Sequence, residues 1–111
     1  VDYDREMAFI AVRDGSLEIC GVARLLIEPG GTRAEFAIIV EPAIKGRGVA
    51  RHLMERLLDW ADRRGVTEVV GQVLADNAPM LAFIRQLGFT IHRVPEEDSV
   101  VEAVRTLGGA A

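Results

Sequence analysis

Two glycines separated by a single residue, Gly46 and Gly48, stand directly before a stretch with helical periodicity. Glycine lets the backbone approach a ligand closely, and the first N–H groups of a helix have no partner within that helix. Together these groups form a site for an anion such as a pyrophosphate. Lys45, Arg47 and Arg51 add positive charge at the same place. The segment therefore predicts phosphate binding, although a Gly-x-Gly pair alone also fits a plain strand-to-helix turn.

Two better-known phosphate motifs do not match. A P-loop requires Gly-x-x-x-x-Gly-Lys-Ser/Thr, and no segment of the chain has that pattern. A dinucleotide-binding Gly-x-Gly-x-x-Gly/Ala motif fails because Arg51 takes the place of the third small residue. Neither motif therefore accounts for the loop.

A single carboxylate, Glu35, interrupts the otherwise apolar run from Ala34 to Val40. Because both faces of this predicted strand read as buried, desolvation should make the carboxylate a stronger base. Such a group suits general-base catalysis. The alternative interpretation is a structural acid paired with an arginine.

The elements that would position these residues follow from apolar periodicity and turn residues. Alternation and turn clusters predict an antiparallel meander of three strands at 7–13, 17–27 and 33–41. An amphipathic helix follows and ends at Gly65. Residues 67–74 are rich in β-formers, and we expect them to pair in parallel with the third strand because a helix joins the two.

A second helix is predicted between an N-cap at Asp76 or Asn77 and Gly88, with Pro79 in its first turn. Its predicted buried stripe consists of Met80, Phe83, Ile84 and Leu87. A hairpin of residues 89–94 and 100–104, around an exposed acidic turn at 95–98, completes the order βββ-α-β-α-ββ. This order predicts an α/β (α+β) fold with a mixed, mostly antiparallel sheet.

Length, charge and composition limit the number of domains and the kinds of partner. The chain has 111 residues, enough for one domain, which we assign to residues 1–107 with a disordered tail at 108–111. Its 13 basic and 17 acidic residues give a net charge of −4, which argues against a nucleic-acid partner. No apolar run is long enough for a membrane span. Cys20, the single cysteine, predicts a small buried residue in a cytoplasmic protein.

The two histidines, His52 and His92, have no further ligand at metal-binding spacing, so we predict no metal site. Trp60 on the first helix is interpreted as a packing or rim residue.

Residues 40–50 resemble the acyl-CoA loop of the GCN5-related N-acetyltransferase (GNAT) superfamily, Val-x-Pro-x-x-(Gln/Arg)-x-x-Gly-x-(Gly/Ala). The matching residues are Val40, Pro42, Gly48 and Ala50, and Lys45 replaces the usual Gln or Arg. Asn77 followed by Leu87-Gly88-Phe89 resembles the fourth-helix signature of the superfamily. The resemblance implies the GNAT fold without its first strand and two helices.

Within the superfamily the chain is most similar to the bacterial protein-lysine acetyltransferase (Pat) family, which acetylates acyl-CoA synthetases. The similarity lies in residues 2–9, 34–37 and 77–81. It implies that this domain is part of a larger multidomain chain, and that its partners are acetyl-CoA and a protein lysine. A small-molecule amine acetyltransferase and a non-catalytic acyl-CoA sensor remain open as alternatives.

The resemblance also implies roles for individual residues. The third and fourth strands would separate at Val40, and the pantetheine of acetyl-CoA would bond to the backbone there. The pyrophosphate would meet the loop and the start of the helix. The implied cofactor residues are Ile38, Ile39, Val40, Lys45, Gly46, Arg47, Gly48, Val49, Ala50, Arg51 and Asn77.

Glu35 resembles the catalytic glutamate of the protein acetyltransferases. Many members carry a tyrosine as general acid four residues before the glycine of the Gly-Phe pair. Here that position is Ile84, and the single tyrosine is Tyr3. Water or the free thiolate would then complete the reaction.

Overall fold

A computed structural model describes residues 5–13, 15, 18–41 and 48–108. The described elements follow the predicted order. They are β1 (Arg5–Val12), β2 (Ile19–Ile27), β3 (Arg33–Val40), α1 (Val49–Arg63), β4 (Glu68–Leu74), α2 (Ala78–Gln86), β5 (Thr90–Val94) and β6 (Glu97–Thr106). Lys45, Gly46 and Arg47 of the predicted phosphate loop lie outside the described residues, as do residues 1–4 and 109–111.

The strands form one six-stranded sheet in the order β1-β2-β3-β4-β6-β5. β3 and β4 pair in parallel, as predicted from the helix that joins them, and the other neighbours are antiparallel. The predicted four-residue turn at 95–98 is wrong, because β6 already begins at Glu97. Pro95 and Glu96 alone make the turn, and Glu96 adopts the positive φ of 64° that a type II turn needs after proline.

Both helices contribute to one hydrophobic core on one face of the sheet. Alternate residues of β2 and β3 are buried in this core, including Leu25, Ile27 and Ala34 at 0% exposure. α1 contributes the stripe predicted from its periodicity, at Leu53, Met54, Leu57, Leu58 and Ala61. α2 buries Ile84, and Phe89 follows it into the same cluster. The opposite face carries exposed apolar side chains, among them Ile10 and Ile39.

An ion-pair cluster holds the paired end of β3 and β4. Arg33 contacts Glu28 at 2.5 Å, Glu68 at 3.1 Å and Glu102 at 3.7 Å. Burial lowers the pKa of Arg33, but the hydrogen bonds to Glu68 and Glu28 outweigh it and raise the pKa above its ordinary value. The cluster ties the turn before β3 to β4 and β6.

Candidate functional site

β3 and β4 separate much earlier than the sequence suggested. Their pairing ends at Glu35, opposite Val70, rather than at Val40. Beyond that pair, the ring of Phe36 lies against Gly71 of β4 on the helix side. The remaining residues of the two strands therefore leave an open gap in the sheet.

Backbone groups of β3 face this gap. The N–H of Glu41 donates to Cys20 of β2 at 2.9 Å, and the carbonyl of Arg33 accepts from Glu28. Odd-numbered residues thus direct their backbone groups toward β2, and even-numbered residues direct theirs toward the gap. Among the three residues predicted to bind pantetheine, Ile38 and Val40 face the gap with their backbone. The backbone of Ile39 faces β2 instead, where Ile39 pairs with Val22.

The start of α1 lies at the other end of the gap. Gly48 is its N-cap, with a φ of 76° that favours glycine, and no side chain caps the helix there. The N–H groups of the first turn, at Val49, Ala50 and Arg51, have no partner inside the helix. No acidic residue lies in that turn. The helix end therefore carries a positive field suited to an anion.

A cavity of about 620 Å³ joins the end of β3 to the start of α1 and to one side of α2. Its lining includes eight of the predicted cofactor residues, namely Ile38, Ile39, Val40, Gly48, Val49, Ala50, Arg51 and Asn77. Four residues of α2 complete it: Pro79, Met80, Phe83 and Gln86. The structure thus brings together every described residue that the sequence assigned to the cofactor.

α2 contributes more to the cavity than the sequence indicated. Met80 and Phe83 were predicted to be buried core residues, but both are only half-buried and line the cavity. Their spacing with Gln86 places them along one side of the helix, which periodicity alone cannot distinguish from a core stripe. Asn77 lines the cavity and is also the N-cap, because its Oδ1 accepts the N–H of Met80 at 3.2 Å.

Arg51 links the two helices at the edge of the cavity. Its guanidinium donates to Oε1 of Gln86 at 3.1 Å and lies 3.8 Å from the carboxylate of Glu55. Its side chain is 43% exposed, so it can also reach an anion at the helix start. Among the described residues that line the cavity, Arg51 is the one arginine or lysine.

Glu35 lies where the gap between β3 and β4 begins, on the sheet face opposite the helices. Its neighbours across the sheet are Leu26 of β2 and Val70 of β4. The expectation that both faces of this strand are buried is wrong. Glu35 is half-buried, and Ala37 and Ile39 on the same face are exposed. The carboxylate is therefore partly exposed on this face of the sheet.

The remaining sequence candidates stay outside the site. Ile84 is fully buried in the core and supplies no titratable group. Cys20 is 7% exposed, which confirms the predicted small buried residue, and its thiol donates to the carbonyl of Ala11. His52 and His92 are exposed. Trp60 packs at the rim of the core under the guanidinium of Arg64.

No group of three or more His, Cys, Asp or Glu side chains is placed to hold a metal ion within the described residues. Neither described helix has the length and apolarity required to cross a membrane.

Comparisons with known proteins find acetyltransferases that are similar to this chain. N-alpha-acetyltransferase RimI of Mycobacterium tuberculosis is 35% identical over 94 residues, which cover 78% of this chain and 58% of that protein. Mycothiol acetyltransferase of Brachybacterium faecium is 34% identical over 93 residues, covering 80% of this chain and 28% of that protein. The chain thus spans less than two thirds of either relative.

The crystal structure of the GNAT domain of S. lividans PAT superposes with a TM-score of 0.80 at 31% identity. The superposition covers 92% of this chain and 61% of that one, and it confirms the predicted fold and the Pat-like resemblance. Residues 1–89 match the sequence profile of the acetyltransferase (GNAT) family. This chain therefore belongs to the GNAT acetyltransferase family.

Proposed function

We propose that this chain is the catalytic domain of an acetyl-CoA-dependent N-acetyltransferase that acts on a lysine side chain of a protein, such as an acyl-CoA synthetase. One observation carries the proposal. The sheet opens beyond Glu35 into a cavity that ends at the uncapped start of α1. A donor with a long neutral arm and a doubly charged pyrophosphate needs such a combination of gap and helix end.

The donor would lie along the cavity with its charged end at α1. The N–H groups from Gly48 to Arg51 would bind the pyrophosphate, and Lys45, Gly46 and Arg47 would complete that end. The pantetheine amides would pair with the backbone of Ile38 and Val40, in the manner of an added strand. Ile39 and Asn77 would line this arm, since both border the cavity. The thioester then lies toward the closed end of the gap.

Glu35 would act as the general base. The ammonium group of a lysine, with an ordinary pKa of about 10.4, must lose a proton before its nitrogen can attack. Glu35 would accept that proton, directly or through one water. The amine nitrogen then bonds to the thioester carbonyl carbon, and a backbone N–H near Val40 would stabilise the oxyanion.

Collapse of this intermediate re-forms the carbonyl and breaks the carbon–sulfur bond. Coenzyme A leaves as a thiolate, and the second proton of the amine is lost as the amide forms. Ile84 cannot act as an acid, so the thiolate leaves free or takes its proton from water.

The type of amine is the least constrained part of the proposal. The sequence resemblance to the Pat family implies a lysine acceptor, and the similarity to the S. lividans PAT domain is consistent with that resemblance. The relative named N-alpha-acetyltransferase supports an α-amino group instead, and the mycothiol relative supports a small molecule. A non-catalytic acyl-CoA sensor is the third alternative, and a carboxylate where the gap begins argues against it.

The test offers all three amines to the intact protein. Acetyl-CoA is supplied with an acyl-CoA synthetase, with a lysine-free peptide that has a free α-amino group, or with a small aliphatic amine. We expect the synthetase to gain the mass of one acetyl group, which peptide mapping then locates on a lysine Nζ. Acetylation of only the peptide or the small amine would refute the lysine acceptor. No acetylation, with acetyl-CoA still binding by calorimetry, would indicate a sensor.

A further inference from the structure

The ring of Phe36 occupies the closed end of the gap between β3 and β4. Phe36 is the first residue after the last β3–β4 pair, and its side chain points to the helix side. A Cβ atom at Gly71 would lie 2.7 Å from two carbons of this ring, with a third carbon closer still. The ring therefore lies directly over the β4 backbone, which only a glycine at position 71 permits.

The ring of Phe36 also packs against a second aromatic ring. It contacts the ring of Phe89, with centroids 5.2 Å apart and planes tilted by 57°. Phe36 is 7% exposed and Phe89 is 4% exposed, so both rings are part of the core. A ring fixed by Gly71 below and Phe89 beside it has little freedom to move away from a ligand.

The cavity ends before it reaches this ring. Ile38 lines the cavity, whereas Phe36, the next residue along the same side of β3, does not. The two residues are about 7 Å apart along the strand. With the pyrophosphate at the start of α1, the opposite end of the cavity receives the thioester and its acyl group. The acyl group therefore points toward Phe36.

We propose that the ring of Phe36, held over Gly71, fills the space beyond the acyl end of the cavity and restricts the donor to short acyl groups such as acetyl. The inference rests on the proposed function, because it assumes that an acyl-CoA occupies the cavity. Beyond that function, it specifies which acyl groups the donor can carry and assigns Phe36 as the residue that limits their length. A longer chain would have to displace a ring that is packed on two sides.

Binding calorimetry on the intact protein tests this without an acceptor. Dissociation constants of acetyl-CoA and butyryl-CoA are measured for the wild type, Phe36→Leu and Phe89→Leu. The wild type should prefer acetyl-CoA by at least about tenfold, and Phe36→Leu should reduce that preference by about tenfold. Phe89→Leu is the comparison variant, because it removes one support of the Phe36 ring but leaves the ring itself in place, so it should reduce the preference by less than Phe36→Leu does.

Thermal unfolding of each variant verifies that it is folded. Phe36→Met is the second variant, because it nearly preserves the volume of the core and its unbranched chain can move aside. The inference is overturned if the wild type binds both donors equally, or if the Phe36 and Phe89 variants change the ratio equally. Failure of the wild type to bind either donor would instead refute the proposed function, so the two failures are distinguishable.

Discussion

Gly71 is the position where one added methyl group should have the largest effect. An alanine there places its Cβ 2.7 Å from two ring carbons of Phe36, and real Cβ contacts are essentially never below 3.0 Å. The ring cannot rotate into solvent, since it is 7% exposed and packed against Phe89. Overpacking of a well-filled core costs about 1–3 kcal/mol. We expect Gly71→Ala to lower the free energy of unfolding by about 2 kcal/mol and the Tm by roughly 10 °C.

The assay is urea unfolding followed by circular dichroism, with a double-mutant cycle. Gly21→Ala is the control, because the nearest atom to its added Cβ is the mobile Cδ1 of Leu53 at 3.1 Å, and it should cost less than about 1 kcal/mol. Phe36→Leu should relieve the clash, so the two changes together should cost at least about 1 kcal/mol less than their sum. Additive effects, or a Gly71→Ala variant as stable as Gly21→Ala, would refute the steric argument.

Three further predictions concern single side chains. Asn77→Ala should lower the free energy of unfolding by about 1 kcal/mol because α2 loses its N-cap, as measured by urea unfolding. Arg51→Gln should weaken acetyl-CoA binding about tenfold in calorimetry, since it removes the one arginine or lysine among the described residues that line the cavity. Arg33→Met should lower the free energy of unfolding by about 1 kcal/mol at low salt, and less at high salt, because it removes a half-buried ion-pair cluster.

Each of these has a matched control. Asn77→Asp keeps a capping oxygen and should retain stability, so equal losses for both variants would contradict a capping role. Arg56→Gln removes an exposed charge from the same helix and should not change acetyl-CoA binding. Arg93→Met breaks an ion pair whose side chains are about nine-tenths exposed and should leave stability unchanged, so a loss equal to that of Arg33→Met would contradict the cluster.

Local sequence features were sufficient to predict the elements of this fold. Apolar periodicity identified α1 and its buried stripe, and the helical connection correctly predicted parallel pairing of β3 with β4. Asp76 and Asn77 were the two expected N-caps of α2, and in the structure Asn77 is the N-cap. The position of β6 between β4 and β5 was not predicted, because an alternating strand pattern does not specify its neighbours.

The site was harder to predict because it depends on contacts distant in sequence. The early end of the β3–β4 pairing accompanies the packing of Phe36 on Gly71, which are 35 positions apart. Met80 and Phe83 have the spacing of core residues, yet they line the cavity. The exposure of one face of β3 depends on what covers the sheet, and the apolar composition of that strand suggested burial on both sides.

In the proposed reaction, Glu35 removes a proton from an acceptor amine beside a bound acetyl-CoA. We would measure acetyl-CoA binding by calorimetry and the rate of acetyl transfer to the acceptor for the wild type, Glu35→Gln and Glu6→Gln. Glu6 lies in the same row of the sheet, two strands away, and its ion pair with Arg24 is exposed. It is therefore a control for loss of charge on this face.

We expect Glu35→Gln to bind acetyl-CoA as tightly as the wild type and to lose about 10²–10⁴-fold in rate, while Glu6→Gln keeps both the affinity and the rate. A Glu35→Gln variant with an unchanged rate would contradict the assignment of Glu35 as the general base.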